Sequence, residues 1–224
     1  MSESVTLHIE KKNLSRCSGY RDLFVEKPSS TEWNLTDNRD RILMAAASLF
    51  ANRGYAATSV REIVAAAGVT KPTLYYYFKN KEDLYLQLLD MAVLTFNDIC
   101  RESLEVSGSM RIRLISLFSR VFELFQEYGD MVKLVNAMVW GSRESTPVYD
   151  LKSGHAYVES IFIQILADGV KEGELSSDHL QDVLVILMGV LHSLQVIPVI
   201  KPDGIVLSER FVEGIVHTIF DGPK

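Results

Sequence analysis

Apolar positions recur every three to four residues along most of this chain, and polar or glycine-containing breaks divide the pattern into a succession of helices. Ile42, Leu43, Ala46, Leu49 and Phe50 line one face of a first helix, which Thr36 or Asp37 can cap and Gly54 ends. Ser59 with Glu62 three residues later is a capping-box pattern that starts a second, with Ile63, Val64 and Ala67 as its apolar stripe. Gly68 suits the left-handed position that closes it. Thr70 can cap a third helix, Pro72 is tolerated in its first turn, and Leu74 and Phe78 are its buried pair.

Asn80, with Asp83 at the third position, launches a fourth helix to about Ser103, carrying Leu84, Leu88, Met91, Ala92, Thr95, Phe96 and Ile99 on one side. Further helices are predicted over about 110–128, 130–142, 147–172, 178–196 and 208–220, with a turn at Pro202-Asp203-Gly204. No period-two strand pattern persists, and no repeat of fixed length is evident. Residues 1–35 lack sustained periodicity and read as a poorly ordered leader. The expectation is an all-α protein.

Charge refines the picture. The net charge of -6 over 224 residues speaks against a nucleic-acid binder, but its distribution does not. Residues 36–82 hold seven Lys or Arg against four Asp or Glu, whereas residues 83–224 hold eleven against twenty. The acidity sits away from the two short helices. Hydrophobic content of 47% and charged content of 23% are ordinary for a globular chain. Two cysteines, Cys17 and Cys100, are too few for a disulfide framework and fit a reducing cytoplasm, and no secretory signal is visible. Val183 to Ile200 carries no formal charge and borders on membrane-spanning length, but Gly189, His192, Ser193, Gln195 and Pro198 favour a buried or subunit-facing helix.

Helix, short Gly-containing turn, then a helix with basic, hydroxylic and aromatic residues facing outward is the helix-turn-helix pattern, whose second helix enters the DNA major groove. An ordinary packed helix pair has the same local signals. The surrounding motifs add specificity: A-x-x-L-F-A-N-R-G-Y, T-S-V-R-E-I, A-G-V-T and L-Y-Y-Y-F-K-N-K-E-D-L follow one another over residues 39–84. This stretch, about a fifth of the chain, resembles the DNA-binding region of the TetR family of bacterial repressors. The resemblance implies a three-helix DNA-binding domain over 36–82, followed by a larger helical effector-binding and dimerisation domain over 83–224. Three consecutive tyrosines cannot all face inward at about 100° per residue. Lys71, Thr73 and Tyr76 are the candidates for base-edge contacts. Tyr75, Tyr77 and Lys81 look like the family's phosphate contacts, with Thr58, Ser59, Arg61 and Thr70 approaching the backbone. Lys11, Lys12, Arg16 and Arg21 form a less favoured N-terminal arm.

One such motif contacts few bases, so specificity calls for two copies on a palindromic operator. The resemblance implies a homodimer joined by a four-helix bundle, with Ile161, Ile165, Leu166, Leu184, Leu187, Met188, Leu191 and Leu194 as candidate seam residues; the monomer core is the alternative use of the same positions. For a small apolar or amphipathic effector, the candidate pocket residues are Phe96, Phe118, Phe122, Phe125, Asn136, Trp140, His155 and Tyr157, with Arg120 and His192 nearby in sequence pattern. Phosphate loops, nucleophile elbows and zinc-protease motifs are absent from the sequence, and the five histidines show no ligand spacing, so no enzyme, metal or cofactor is expected. The expected function is a cytoplasmic, ligand-responsive transcriptional repressor. The alternatives are a helical ligand-binding or catalytic bundle that does not use its helix-turn-helix, and a protein with one membrane span.

Overall fold

Nine α-helices are arranged in chain order among the described residues, which in this computed structural model are 36–140, 146–200 and 209–222. They are α1 (Asn38–Arg53), α2 (Val60–Ala67), α3 (Lys71–Tyr77), α4 (Lys81–Glu102), α5 (Met110–Glu127), α6 (Gly129–Trp140), α7 (Leu151–Lys171), α8 (Leu180–Ile200) and α9 (Glu209–Asp221). No strand occurs among the described residues. The expected leader and its basic arm, the side chain of Trp140 and the turn at Pro202-Asp203-Gly204 lie outside them.

The caps explain most boundaries. Asp37 accepts from the Arg39 amide to start α1, and Gly54 closes it with φ 81°. Asn80 accepts from the Asp83 amide at the head of α4, and Ser109 accepts from the Ile112 amide at the head of α5. The seventh helix begins at Leu151, so Pro147 precedes it instead of opening it, one of the two placements the sequence allows. Asp150 takes the Lys152 amide at 3.0 Å and the Ser153 hydroxyl at 2.8 Å, an acidic cap stronger than the proline cue. A 3-10 turn at Ser177–His179 precedes α8, which continues past the predicted Val196 to Ile200.

Residues 35–224 form one compact unit, so the predicted division at 82/83 is not a break in packing. Two helices bridge it: α4 packs against α1, α5, α6 and α7, and α6 lies against α1 as well as α8. The main core is built from α5, α7, α8 and α9, including Leu114, Phe118, Val121, Phe162, Ile165, Leu187 and Val216. Gly169 allows a close approach there, since a Cβ on it would press on the Met110 side chain. The smaller core of the first three helices gathers Ile42, Leu43, Phe50, Ile63, Leu74 and Phe78, all nearly or wholly buried.

Candidate nucleic-acid interface and effector core

The capping box at α2 is complete. The Glu62 amide donates to Ser59 Oγ at 3.3 Å, and Glu62 Oε2 accepts from the Ser59 amide at 2.9 Å and its hydroxyl at 2.7 Å. Arg53 adds an ion pair to Glu62 at 2.9 Å, pinning the end of α1 to the start of α2. The Ser59 hydroxyl and amide, then Arg53, hold the Glu62 carboxyl below the usual glutamate range. At the other end Gly68 adopts φ 63° and its carbonyl accepts from Arg41 Nη2 at 3.2 Å. A side chain there would meet that guanidinium at 2.6 Å as well as a strained backbone.

After this turn Thr70 caps α3, taking the Thr73 amide at 3.3 Å, while the two threonine hydroxyls share a hydrogen bond at 2.8 Å. Leu74 is fully buried and seats the helix, with Phe78 beneath its end. The opposite side is open: Lys71, Tyr75 and Tyr76 are exposed, Tyr76 to 83%. Thr73 and Tyr77 are half-buried at the edge, the Tyr77 ring meeting that of Tyr76 edge-on at 4.9 Å. Ser59, Arg61 and Thr70 are exposed nearby in the chain. A positively charged lysine, hydroxyls and aromatic edges on a helix held from behind can donate to base edges and phosphates.

Two predicted DNA contacts are corrected. Thr58 is only 2% exposed, and its hydroxyl donates to the Gly54 carbonyl at 2.9 Å and the Leu49 carbonyl at 3.3 Å, so it is a buried structural group. Lys81 turns inward: its Nζ donates to the carbonyls of Tyr55 at 2.9 Å and Thr58 at 3.0 Å and lies 4.0 Å from the centre of the Tyr55 ring. The Lys81 ammonium is thus engaged within the fold.

A polar chain ties α3 to α4 and α1. Asp83 accepts from the Lys79 amide at 2.8 Å and from Gln87 at 3.2 Å, and Gln87 in turn accepts from Arg39 at 3.1 Å. Arg39 also lies over the Phe78 ring. Sequence reading did not single out Arg39, Asp83 or Gln87 for this; the spacing of Asp83 and Gln87, four apart, was the available sign.

Of the predicted effector residues, Phe118, Phe122 and Phe125 are buried in the main core. Phe96 and Tyr157 pack at its margin, Phe96 stacked on Phe125 at 6.0 Å. Asn136 is 9% exposed; its amide nitrogen donates to the Gln195 carbonyl at 3.3 Å, while its Oδ1 lacks a partner, as do the buried Asn97 Oδ1 and Ser119 Oγ. His155 is exposed, and is corrected: it faces outward on α7 instead of joining the aromatic core. Arg120 pairs with Glu102 and His192 is exposed. The sequence reading passed over Asp90, half-buried on α4, which accepts from Tyr149 Oη at 2.9 Å. Burial raises its pKa despite that donation. An aspartate between Leu88-Leu89 and Met91-Ala92 was the signal. Burial also pushes the Cys100 thiol up to about 12, which makes it inert.

The predicted dimer seam needs the largest correction. Ile161, Ile165, Leu166, Leu184, Leu187, Leu191 and Leu194 are buried in the monomer's own core, with Met188 packed against it. Helical periodicity identifies a buried stripe without saying what buries it. Among the residues exposed on α8 are the apolar Val185, Ile186 and Ile200 with Gly189, beside the polar His192 and Ser193, and on α9 Phe211 and Gly214 are exposed. Ser177–Ile197 is long and apolar enough to cross a membrane, a test that the core helix of a soluble protein also passes. Among the described residues no group of His, Cys, Asp or Glu could hold a metal ion.

Residues 42–88 match the model of the tetR family of bacterial regulatory proteins. The chain is 28% identical over 148 residues to the HTH-type transcriptional repressor KstR2 of Mycolicibacterium smegmatis, covering 62% of this chain and 68% of that one. Among solved structures it is similar to the TetR family regulator PfmR from Thermus thermophilus, at 27% identity and TM-score 0.65 over 82% of this chain and 99% of that chain. It also shares its fold with AibR, solved in complex with isovaleryl coenzyme A and operator DNA, at 20% identity and TM-score 0.63, over 84% of this chain and all of that chain (100%).

Proposed function

We propose that this chain, whose residues 42–88 match the tetR family of bacterial regulatory proteins, is a ligand-responsive, DNA-binding transcriptional repressor, acting in the cytoplasm as a homodimer on a palindromic operator. The observation that carries this reading is α3: its inner face is locked by Leu74 and Phe78, while Lys71, Tyr75 and Tyr76 stand outward. Lys71 and Tyr76 read base edges from this helix, with Thr73 beside them. Tyr75, Tyr77, Ser59, Arg61 and Thr70 hold the sugar-phosphate backbone. Residues 36–82 do the reading, and residues 83–224 bind the effector and the second subunit.

The exposed apolar strip of Val185, Ile186 and Gly189 on α8, with Phe211 on α9, is where a second copy packs. An isologous contact there presents two α3 helices related by a two-fold axis, which a palindrome matches. It also gives the apolar face of α8 a partner other than lipid.

The effector is small and apolar or amphipathic. It enters the core around Phe96, Phe122 and Phe125, where the unpartnered carbonyl oxygens of Asn97 and Asn136 accept from its N–H or O–H groups. AibR's complex with isovaleryl coenzyme A makes short acyl thioesters the first class to try. The 22-residue α4, about 33 Å long, carries Phe96 at the effector core and the Asn80 cap beside α3. A ligand that prefers a displaced α4 lowers DNA affinity by the ratio of its affinities for the two states. A gel shift with the DNA upstream of the protein's own coding sequence tests the reading. Retention by wild type and loss on Lys71→Ala with Tyr76→Ala supports it; equal retention by the double variant refutes the assigned helix.

A further inference from the structure

We propose that Lys81 is a positioning residue for DNA binding in place of a phosphate ligand: it clamps the α1–α2 connection to the head of α4, so that α2 and α3 move with α4 as one piece. The proposal rests on the DNA-binding reading above and deepens it by identifying the joint through which α4 acts.

Three observations converge on this joint. First, Lys81 Nζ donates to two carbonyls, those of Tyr55 and Thr58, which belong to the connection between Gly54 and the Ser59 cap. The Tyr55 carbonyl also accepts from the Thr58 amide at 3.3 Å, and the charge-assisted bonds from Lys81 add the stronger donor to this irregular connection. Second, the same ammonium lies over the Tyr55 ring at 4.0 Å, and that ring is held edge-on by Tyr85 of α4 at 4.9 Å and against Phe50 of α1 at 5.7 Å. Lys81 and Tyr85 are one turn apart on α4, so one face of its first turn grips the connection at both levels. Third, the segment it grips leads directly into the Ser59 capping box, which orients α2 and the exposed Arg61.

The arrangement has a mechanical consequence. On the other side of α4's first turns Asp83 caps the helix start on the Lys79 amide of the α3–α4 link, and Gln87 joins α4 to Arg39 of α1, which lies over the Phe78 ring at the end of α3. With Lys81 on the connection and Arg39 between Gln87 and Phe78, a shift of α4 carries the helix-turn-helix with it. Remove the lysine, and the α1–α2 connection keeps only the Tyr55–Tyr85 ring contact to α4, while Gln87 and Arg39 stay in place on the other side. The angle between backbone-contacting α2 and base-contacting α3 then loosens.

The test is a DNA titration of wild type, Lys81→Met, Lys81→Arg and Arg61→Ala at several salt concentrations, by fluorescence anisotropy. The probe is a duplex selected from random-sequence DNA by the wild-type protein, and folding is checked by circular dichroism at the working temperature. Lys81→Met keeps the apolar stem and loses the donors and the charge. The expected result is roughly tenfold weaker binding with an unchanged slope of log K against log salt, because charge-assisted bonds are lost without any phosphate contact. Lys81→Arg, which can still donate to carbonyls and cover the ring, is expected to restore affinity. Arg61→Ala supplies the contrast, lowering the slope by about 0.9 as one backbone-contacting charge is removed. If Lys81→Met does not fold, Lys81→Gln is read by the same two criteria. A slope lowered by about 0.9 in the Lys81 variant makes it a phosphate ligand and overturns the proposal. Unchanged affinity in a folded variant leaves only a stability role and overturns it equally. Absence of wild-type binding to any selected duplex removes the functional reading itself, and this proposal with it.

Discussion

Replacing Leu74 and replacing Tyr76 should have opposite consequences, although the two residues are neighbours on one seven-residue helix. Leu74 is 0% exposed and holds α3 against α1 and α2. Leu74→Ala removes three buried carbons, a transfer loss of about 2.4 kcal/mol at roughly 0.8 kcal/mol each. So short a helix, fixed at Thr70 and again at Asn80, cannot slide in to fill the space, and the cavity raises the total to about 3–4 kcal/mol. For a unit of this size that is a fall in Tm of roughly 6–16 °C. Tyr76→Ala exposes no core and should change stability by less than about 0.5 kcal/mol, while costing DNA affinity on the order of tenfold. Thermal melts at matched protein concentration, so that dimer mass action is held constant, read the first effect; anisotropy with a selected duplex reads the second. The reasoning is refuted if Leu74→Ala melts within about 2 °C of wild type, on the order of a loss under 1 kcal/mol. It is equally refuted if Tyr76→Ala destabilises as much as Leu74→Ala.

Other outcomes follow from the same contacts. The Glu62 carboxyl is held below its ordinary range by Ser59 first and Arg53 after it. Its contribution is therefore complete above that ordinary range and fades as pH falls toward the lowered value, so Glu62→Gln should flatten the acid limb of a pH–stability curve. Asp90 is shifted the other way, raised by burial, so the fold favours its neutral acid and loses that preference as pH rises past the ordinary aspartate range. Asp90→Asn should remove this decline in a melt series run from acid to neutral pH; an identical series in both proteins would contradict the assignment. Ile186→Asp, at a 48% exposed apolar position on α8, should shift sedimentation from dimer to monomer while leaving helix content intact. A monomeric wild type, or an undisturbed dimer in the variant, would send the interface elsewhere.

Local chemistry makes the helix-turn-helix legible. Ser59 with Glu62, Gly68, Thr70 and Asn80 are signals that act over four residues or fewer, and each cap forms as its residues imply. Burial of Leu74 and Phe78 follows from their spacing, and so does the outward position of at least one tyrosine. Long-range choices are not legible. Lys81 lies 26 residues from Tyr55 and 23 from Thr58, so nothing in its neighbours announces that its ammonium turns inward. Thr58 is polar by type and buried by context, its hydroxyl satisfied by two carbonyls of the preceding helix end. The α7 and α8 stripes are legible as buried surfaces but not by what covers them, since Ile161, Ile165, Leu187 and Leu191 face their own subunit instead of the expected partner. The strip that is free, Val185, Ile186 and Gly189, has the same composition and differs only in rotation about the helix.

The central claim is that the outward face of α3 reads DNA, and selection from random-sequence duplexes tests it with no operator specified in advance. Wild-type protein should enrich a two-fold symmetric site, and Lys71→Ala should bind the enriched duplex with a change at one symmetric pair of base positions, costing about 1–3 kcal/mol per contact. Enrichment of no sequence, or an unaltered preference in Lys71→Ala and Tyr76→Ala alike, would contradict it.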